Sequence, residues 1–327
     1  MSLNISSQLA HAIAAQGGGE KNGFFGPQAA ATDQRPVLQL NALPMTLAPS
    51  AYANAHSSAN PGGSYSTLNA FSELADSVPV FSEYYSPSLN TVSAVYSNLL
   101  RGASVKADAP YAGTVIAKAL QNVASGGFSN LDGTPGLWYP VYAIPGDWYD
   151  TGDPDRFSDI TLDLTGEGKD DSGPYRILEE SKNSIAANLI RIGKGDAVQI
   201  DPASALKRVT LKYLEVQLNR PWLDFEVFNL GGWFIGGLDA GYFSDGSIDN
   251  NQGVMPLITT SLLVAINVDL AADWSAKDQQ FIDDTRRQGD GVAVGPFAIN
   301  AAASTDLHVI GWVSRLVPLA PQIDAGH

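Results

Sequence analysis

The chain has no cysteine, which excludes disulfides, thiolate catalysis, iron–sulfur clusters and Cys-ligated zinc. Histidine is nearly as scarce: His11, His56, His308 and His327 are the four present, and no HExxH or His-x-His spacing occurs among them. Neither GxGxxG nor GxxxxGK[ST] appears, so a phosphate-cradling glycine loop is not expected. No apolar run approaches the roughly 18 residues that a bilayer-spanning helix needs. The opening stretch MSLNISSQLAHAIAAQ lacks the basic and continuous apolar regions of a secretory signal. Cytoplasmic synthesis is therefore expected, with export by a signal-independent route left open.

Charge is also sparse, at 16% of residues, and one sign dominates: 34 acidic against 19 basic side chains, a net charge of −15. Residues 1–140 carry 5 basic and 7 acidic groups and residues 141–327 carry 14 and 27, so the second part holds −13 of the total. Such a field repels phosphate backbones and anionic lipid headgroups, which argues against nucleic acid as a partner and against purely electrostatic docking to membranes. Cations remain compatible with it.

What is present suggests an α+β fold: a mixed or antiparallel β-sheet body, a small helical N-terminal subdomain and an extended N-terminal arm. Residues 1–66 mix Ala, Ser, Gly, Asn and Gln with scattered prolines and read as a low-complexity arm. Phe24, Phe25, Leu38, Leu40 and Leu43 make it too apolar for a solvated tail, so it is expected to lie across the body or a neighbouring subunit. Residues 67–127 read as helical. Val92, Val95, Tyr96, Leu99 and Leu100 share one face, as do Val115, Ile116, Ala119, Leu120 and Val123 before the Gly126–Gly127 stop.

Residues 128–327 read as the β-rich domain. In ITTSLLVAINVDL, Ile258, Thr260, Leu262, Val264, Ile266, Val268 and Leu270 alternate with their neighbours, predicting one strand with one apolar face. In VTLKYLEVQLNR the apolar set Val209, Leu211, Tyr213 changes phase to Leu214, Val216, Leu218, which predicts a β-bulge between them. GVAVGPFAIN, DLHVIGWVSRLVP, ITLDL and NLIRIG read as further strands. WSAKDQQFIDDTRRQG reads as a helix with a capping box at Ser275 and Asp278 and a stop at Gly289.

Few residues suggest chemistry. His308, within a predicted strand, has no diagnostic nucleophile motif beside it and reads as a packed residue. Ser204 and Lys207 match Ser-x-x-Lys, but the lysine runs into a strand where that chemistry needs a helix, and no Lys-Thr-Gly follows. The densest acidic stretch, 147–171, places Asp153, Asp155 and Asp159 around the Gly152–Pro154 turn, where they could converge on calcium. Solvated turns and caps have the same composition. A second oxygen-rich loop, Ser244 to Asn251, reads as a long turn with the same capacity for calcium or a sugar.

The remaining feature is NLGGWFIGGLDAG, in which two glycine pairs bracket Trp233, Phe234 and Ile235. Either the glycines allow close backbone packing while Trp233 and Phe234 plug the core, or the three residues present an apolar tip that binds a partner or a bilayer. With no catalytic signature, the sequence points to a non-catalytic protein that binds a protein partner or assembles with its own copies into a homo-oligomer, the arm supplying part of the interface. The first alternative is a membrane-active or pore-forming protein acting without a transmembrane helix, and the second a carboxylate-based or cation-assisted hydrolase.

Overall fold

The structure, a computed structural model, describes residues 5–15, 35–165, 175–178, 188–299 and 306–323. The fold is α+β, with helices packed around a large mixed sheet and several smaller sheets. In the main sheet the order runs Arg176–Ile177, Val37–Leu47, Leu307–Leu316, Leu257–Asp273, Ala205–Asn219, with Tyr142–Ile144 and Ser158–Asp163 pairing along different lengths of the last. The three long central pairings are antiparallel, while Arg176–Ile177 and Tyr84–Tyr85 run parallel to Val37–Leu47.

Both faces of this sheet are covered, and this explains the phase change read in the sequence. Val209, Leu211 and Tyr213 join one core, with Leu162, Leu263, Val294 and Phe297, while Leu214, Val216 and Leu218 face the other, with Phe71, Trp148, Leu262 and Trp312. Pairing of Ala205–Asn219 with its neighbour is unbroken from Lys212 to Gln217, so no bulge interrupts it there. An alternating strand points odd and even residues to opposite faces, and each face is apolar along the half that a second layer covers. The bulges lie elsewhere in the same pairing, at Lys207 and opposite Leu211 at Asn267–Val268, where Asn267 has φ +54°. Beyond Asn267 the phase of Leu257–Asp273 is reversed: Val268 and Leu270 share the core of Leu263 and Ala265, opposite Leu262, Val264 and Ile266. The single apolar face expected of this strand is thus two faces, both packed against protein.

The segment expected to be an arm contributes directly to this body. Val37–Leu47 is a strand of the main sheet with Val37, Leu38 and Leu40 buried, because its short apolar run lies beside Leu307–Leu316 with both faces covered. Residues 5–15 form a helix whose apolar positions Ile5, Leu9 and Ile13 recur every four residues. Phe24 and Phe25 lie outside the described residues.

A separate core forms at one end. Helices Val92–Gly102, capped by Thr91, and Pro110–Gly126 pack Tyr96, Leu99, Val115, Ile116 and Ala119 against Trp222, Phe228, Trp233, Met255 and Val317. The helices of residues 92–126 therefore share their core with parts of 222–258 and 317–320, while Phe71 and Ala75 of the helix Tyr65–Ala75 join the core against the main sheet. The sequence GVAVGPFAIN is a hairpin, Val292–Val294 and Phe297–Ile299, turning at Gly295. Helix Ala276–Arg287 begins at Ser275, whose Oγ accepts from Asp278 N (3.2 Å), but the expected reciprocal bond is replaced: Ser275 N donates to Ser204 Oγ instead.

Candidate functional site

Ser204, Lys207 and His308 are each engaged in structural contacts. Ser204 Oγ donates to Asp278 Oδ2 at 2.6 Å, and Lys207 Nζ pairs with Asp273 at 2.6 Å, so the Ser-x-x-Lys pair is divided between two carboxylates. His308 is buried in the main sheet with Nδ1 3.2 Å from Thr46 Oγ1. Burial lowers its pKa, partly opposed by Asp306. Because the folded-state value lies below the unfolded one, the stability contributed by neutral His308 is complete above about pH 6.5 and is lost as pH falls through the folded value. Between pH 7.5 and 5, wild-type protein is expected to lose stability faster than His308→Gln, by at most about 1.4 kcal/mol per pH unit. Parallel denaturant titrations of the two proteins check this; identical pH profiles contradict it.

Among the described residues, the aspartates of the acidic segment are exposed. Asp153 accepts from Asp155 N (3.3 Å) as the cap of a short 3-10 turn, and Asp159, on the strand Ser158–Asp163, lies 3.3 Å from Lys212 Nζ. Asp147 instead receives Arg156. Glu167, Asp170 and Asp171 lie outside the described residues. In the loop from Ser244 to Asn251, the buried Asn251 amide donates to Ser244 Oγ and Ser247 O, and its oxygen accepts from Gly253 N, so the loop organises itself around one side chain. Among the described residues, no three acidic or histidine side chains gather as a metal centre would require.

Trp233–Ile235 is a short strand antiparallel to Ala103–Val105. Trp233 is only 1% exposed; its Nε1 donates to Val227 O at 3.0 Å and its ring lies 6.4 Å from that of Phe243. Ile235 packs on the same core and Phe234 is half-buried. The flanking glycines differ. Gly232 has φ +84°, and a Cβ added there would stand 2.4 Å from Ala109 Cβ, whereas Gly236 has an ordinary φ and open space. Gly232→Ala is therefore expected to destabilise by more than about 1 kcal/mol and Gly236→Ala by no more than about 0.5 kcal/mol, measured by denaturant midpoints.

The helix Ile5–Ala15 also belongs to the main-sheet core. Ile5, Leu9 and Ile13 are 4%, 0% and 0% exposed, and Ala10 is also buried. They enter the main-sheet core with Ile160, Leu162, Leu164, Leu38 and Leu40, the helix lying against the strands Ser158–Asp163 and Val37–Leu47. An 11-residue helix is marginal in water by itself, so this one depends on the groove that receives it.

Compared with known proteins, the chain matches no family model, no curated protein and no solved structure. Function must therefore be argued from this geometry. The helix was hidden in the sequence by the Ser, Gln, His and Ala between its apolar positions; the i, i+4, i+8 spacing of Ile5, Leu9 and Ile13 was the available signal.

Proposed function

We propose that this chain is a non-catalytic self-assembling protein whose copies are joined by exchange of the helix Ile5–Ala15. The observation that carries the reading is a helix buried in the main core yet separated from Arg35, the next described residue, by residues 16–34. Nineteen residues reach at most about 60–70 Å, several times the radius of gyration of about 20 Å expected for a chain this long. A groove on a neighbouring copy offers the same contacts as the chain's own, so at raised concentration exchange needs no new surface, which makes it a low-cost route to oligomers. Exposed apolar side chains such as Leu89, 105% exposed on the segment Pro87–Thr91, supply further contact points.

Light scattering over a wide concentration range tests it. The full chain is expected to rise to a defined multiple of its 34.5 kDa mass. Leu9→Ala with Ile13→Ala weakens the same contacts within and between copies, so it is expected to speed exchange of subunits while leaving the concentration of that rise nearly unchanged. A full chain that stays monomeric throughout contradicts the proposal.

A further inference from the structure

A cleft of about 490 Å³ opens beside the main sheet, lined by four separate parts of the chain: the loop from Tyr52 to Ala59, helix Tyr65–Ala75, the segment Tyr142 to Trp148, and Asn219 with Pro221. That volume lies within the roughly 300–1,000 Å³ of ordinary small-molecule sites. Its aromatic wall is the half-buried Tyr52 ring, backed by the buried Trp148 and Phe71, whose centroids lie 5.2 Å and 6.4 Å from it. Despite a net charge of −15, no Asp, Glu, Lys or Arg lines it.

Three of its polar groups are uncharged and unengaged. Among the described residues, the hydroxyls of Tyr52 and Tyr142 and the amide of Asn219 have no hydrogen-bond partner, although each lines the cleft. Tyr142 and Asn219 are directly opposite in an antiparallel pair, which puts their side chains next to each other on one face of the ribbon. His56 Nδ1 lies 3.1 Å from Pro61 O, an acceptor, so that nitrogen carries the proton and Nε2 of the neutral ring presents a lone pair. The His56 ring is held by stacking on Tyr65, with centroids 4.1 Å apart.

The rim is preorganised. His56 N donates to Ser64 O (3.0 Å), Ser64 N to Asn54 O (2.7 Å), and the Asn60 amide to both Asn54 Oδ1 and Ala55 O. Asn54 N is held in turn by Tyr149 Oη. Gly63 is required for this closure, since a Cβ there would lie 2.4 Å from Ala55 O. A rim fixed before binding spares a ligand the cost of ordering it.

We infer that this cleft is a binding site for a neutral carbohydrate of one or two sugar rings. A sugar ring presents a C–H face suited to the aromatic wall, and hydroxyls that both donate and accept, which is what two tyrosine hydroxyls, one amide and one imidazole lone pair offer. Phosphorylated or carboxylated ligands would meet no cation there, and a purely apolar ligand would leave those four groups without partners.

The test uses saturation-transfer NMR on the full chain with maltose, cellobiose, lactose and N,N′-diacetylchitobiose as probes, and indole and ATP as controls. At least one of the sugars is expected to bind. Asn219→Ala and Tyr142→Phe, which remove only groups bonded to no described residue, are expected to weaken that binding by about 3–10-fold each, the loss of one neutral hydrogen bond, with melting temperature unchanged. Silence from all four sugars, sugar binding that survives both variants, or binding of indole or ATP alone overturns the inference.

Discussion

Trp233→Ala is expected to lower stability by about 3–5 kcal/mol, the range for truncating a large buried aromatic ring. The indole meets Val227 and Phe243 in a core that joins the helices Val92–Gly102 and Pro110–Gly126 to the segments around residues 222–258. Its removal leaves a cavity and also frees Val227 O, which accepts the Nε1 proton at 3.0 Å. Relaxation is restricted because Gly232, at φ +84°, brings the backbone against Ala109 while Lys106 N is bonded to Gly232 O. The shift in denaturant midpoint measures the effect. A loss below about 1 kcal/mol, characteristic of a surface position, would mean that the ring does not plug this core.

The second large effect is expected at Arg220. This guanidinium is buried, donating through Nη1 to Thr259 O (2.6 Å) and through Nη2 to Ala75 O (2.6 Å) and Thr259 Oγ1 (2.8 Å). Burial lowers its pKa to about 10 against the pull of Asp76 and Tyr85, and it remains the cation of the region at neutral pH. Asp76 is raised by its own burial, an effect opposed by Ser93 and by Arg220. Arg220→Met removes the tie between helix Tyr65–Ala75 and the strand Leu257–Asp273, strands two carbonyls, and leaves Asp76 without its cation. The expected cost is about 3–5 kcal/mol, from the loss of three hydrogen bonds of a charged donor with buried acceptors left unpaired. Adding Asp76→Asn should recover part of that loss, because the second charge is then also gone. A double variant as unstable as the sum of the singles would deny the coupling.

The parts of this fold that were legible in the sequence are those with one buried face. Helix Pro110–Gly126 shows its stripe of Val115, Ile116, Ala119 and Val123 because its other side meets water. Strand Ala205–Asn219 misled for the opposite reason. Its two halves are covered on different faces, so Tyr213 and Leu214 are both apolar in a strand that never leaves register there, while the true irregularity across from Leu211 depends on the left-handed backbone of Asn267, one asparagine among many. Trp233 was legible as a core residue flanked by a glycine requiring positive φ, although the second such glycine is Gly237 and not Gly236.

The cleft was not legible. Its polar groups come from residues 52, 56, 142 and 219, and only folding brings them together. The stretch SSANPGGS, which reads as filler, supplies the turn that carries His56, through Ser57, Asn60, Gly63 and Ser64. Short polar and glycine residues look alike in sequence whether they are solvated or bond one another.

The central claim, that the helix Ile5–Ala15 of one copy docks on another, is tested most directly by cross-linking, which the absence of native cysteine makes unambiguous. A cysteine at Ala12, on the half-buried side of the helix, is joined by a bis-maleimide to a cysteine at the exposed Ser158, which shares with Ile160 and Leu162 the face of the strand against which the helix lies. At concentrations above the association midpoint, the account predicts covalently linked dimers or larger species on a denaturing gel, giving way to internally linked monomers on dilution. Internally linked monomers alone at every concentration would contradict it.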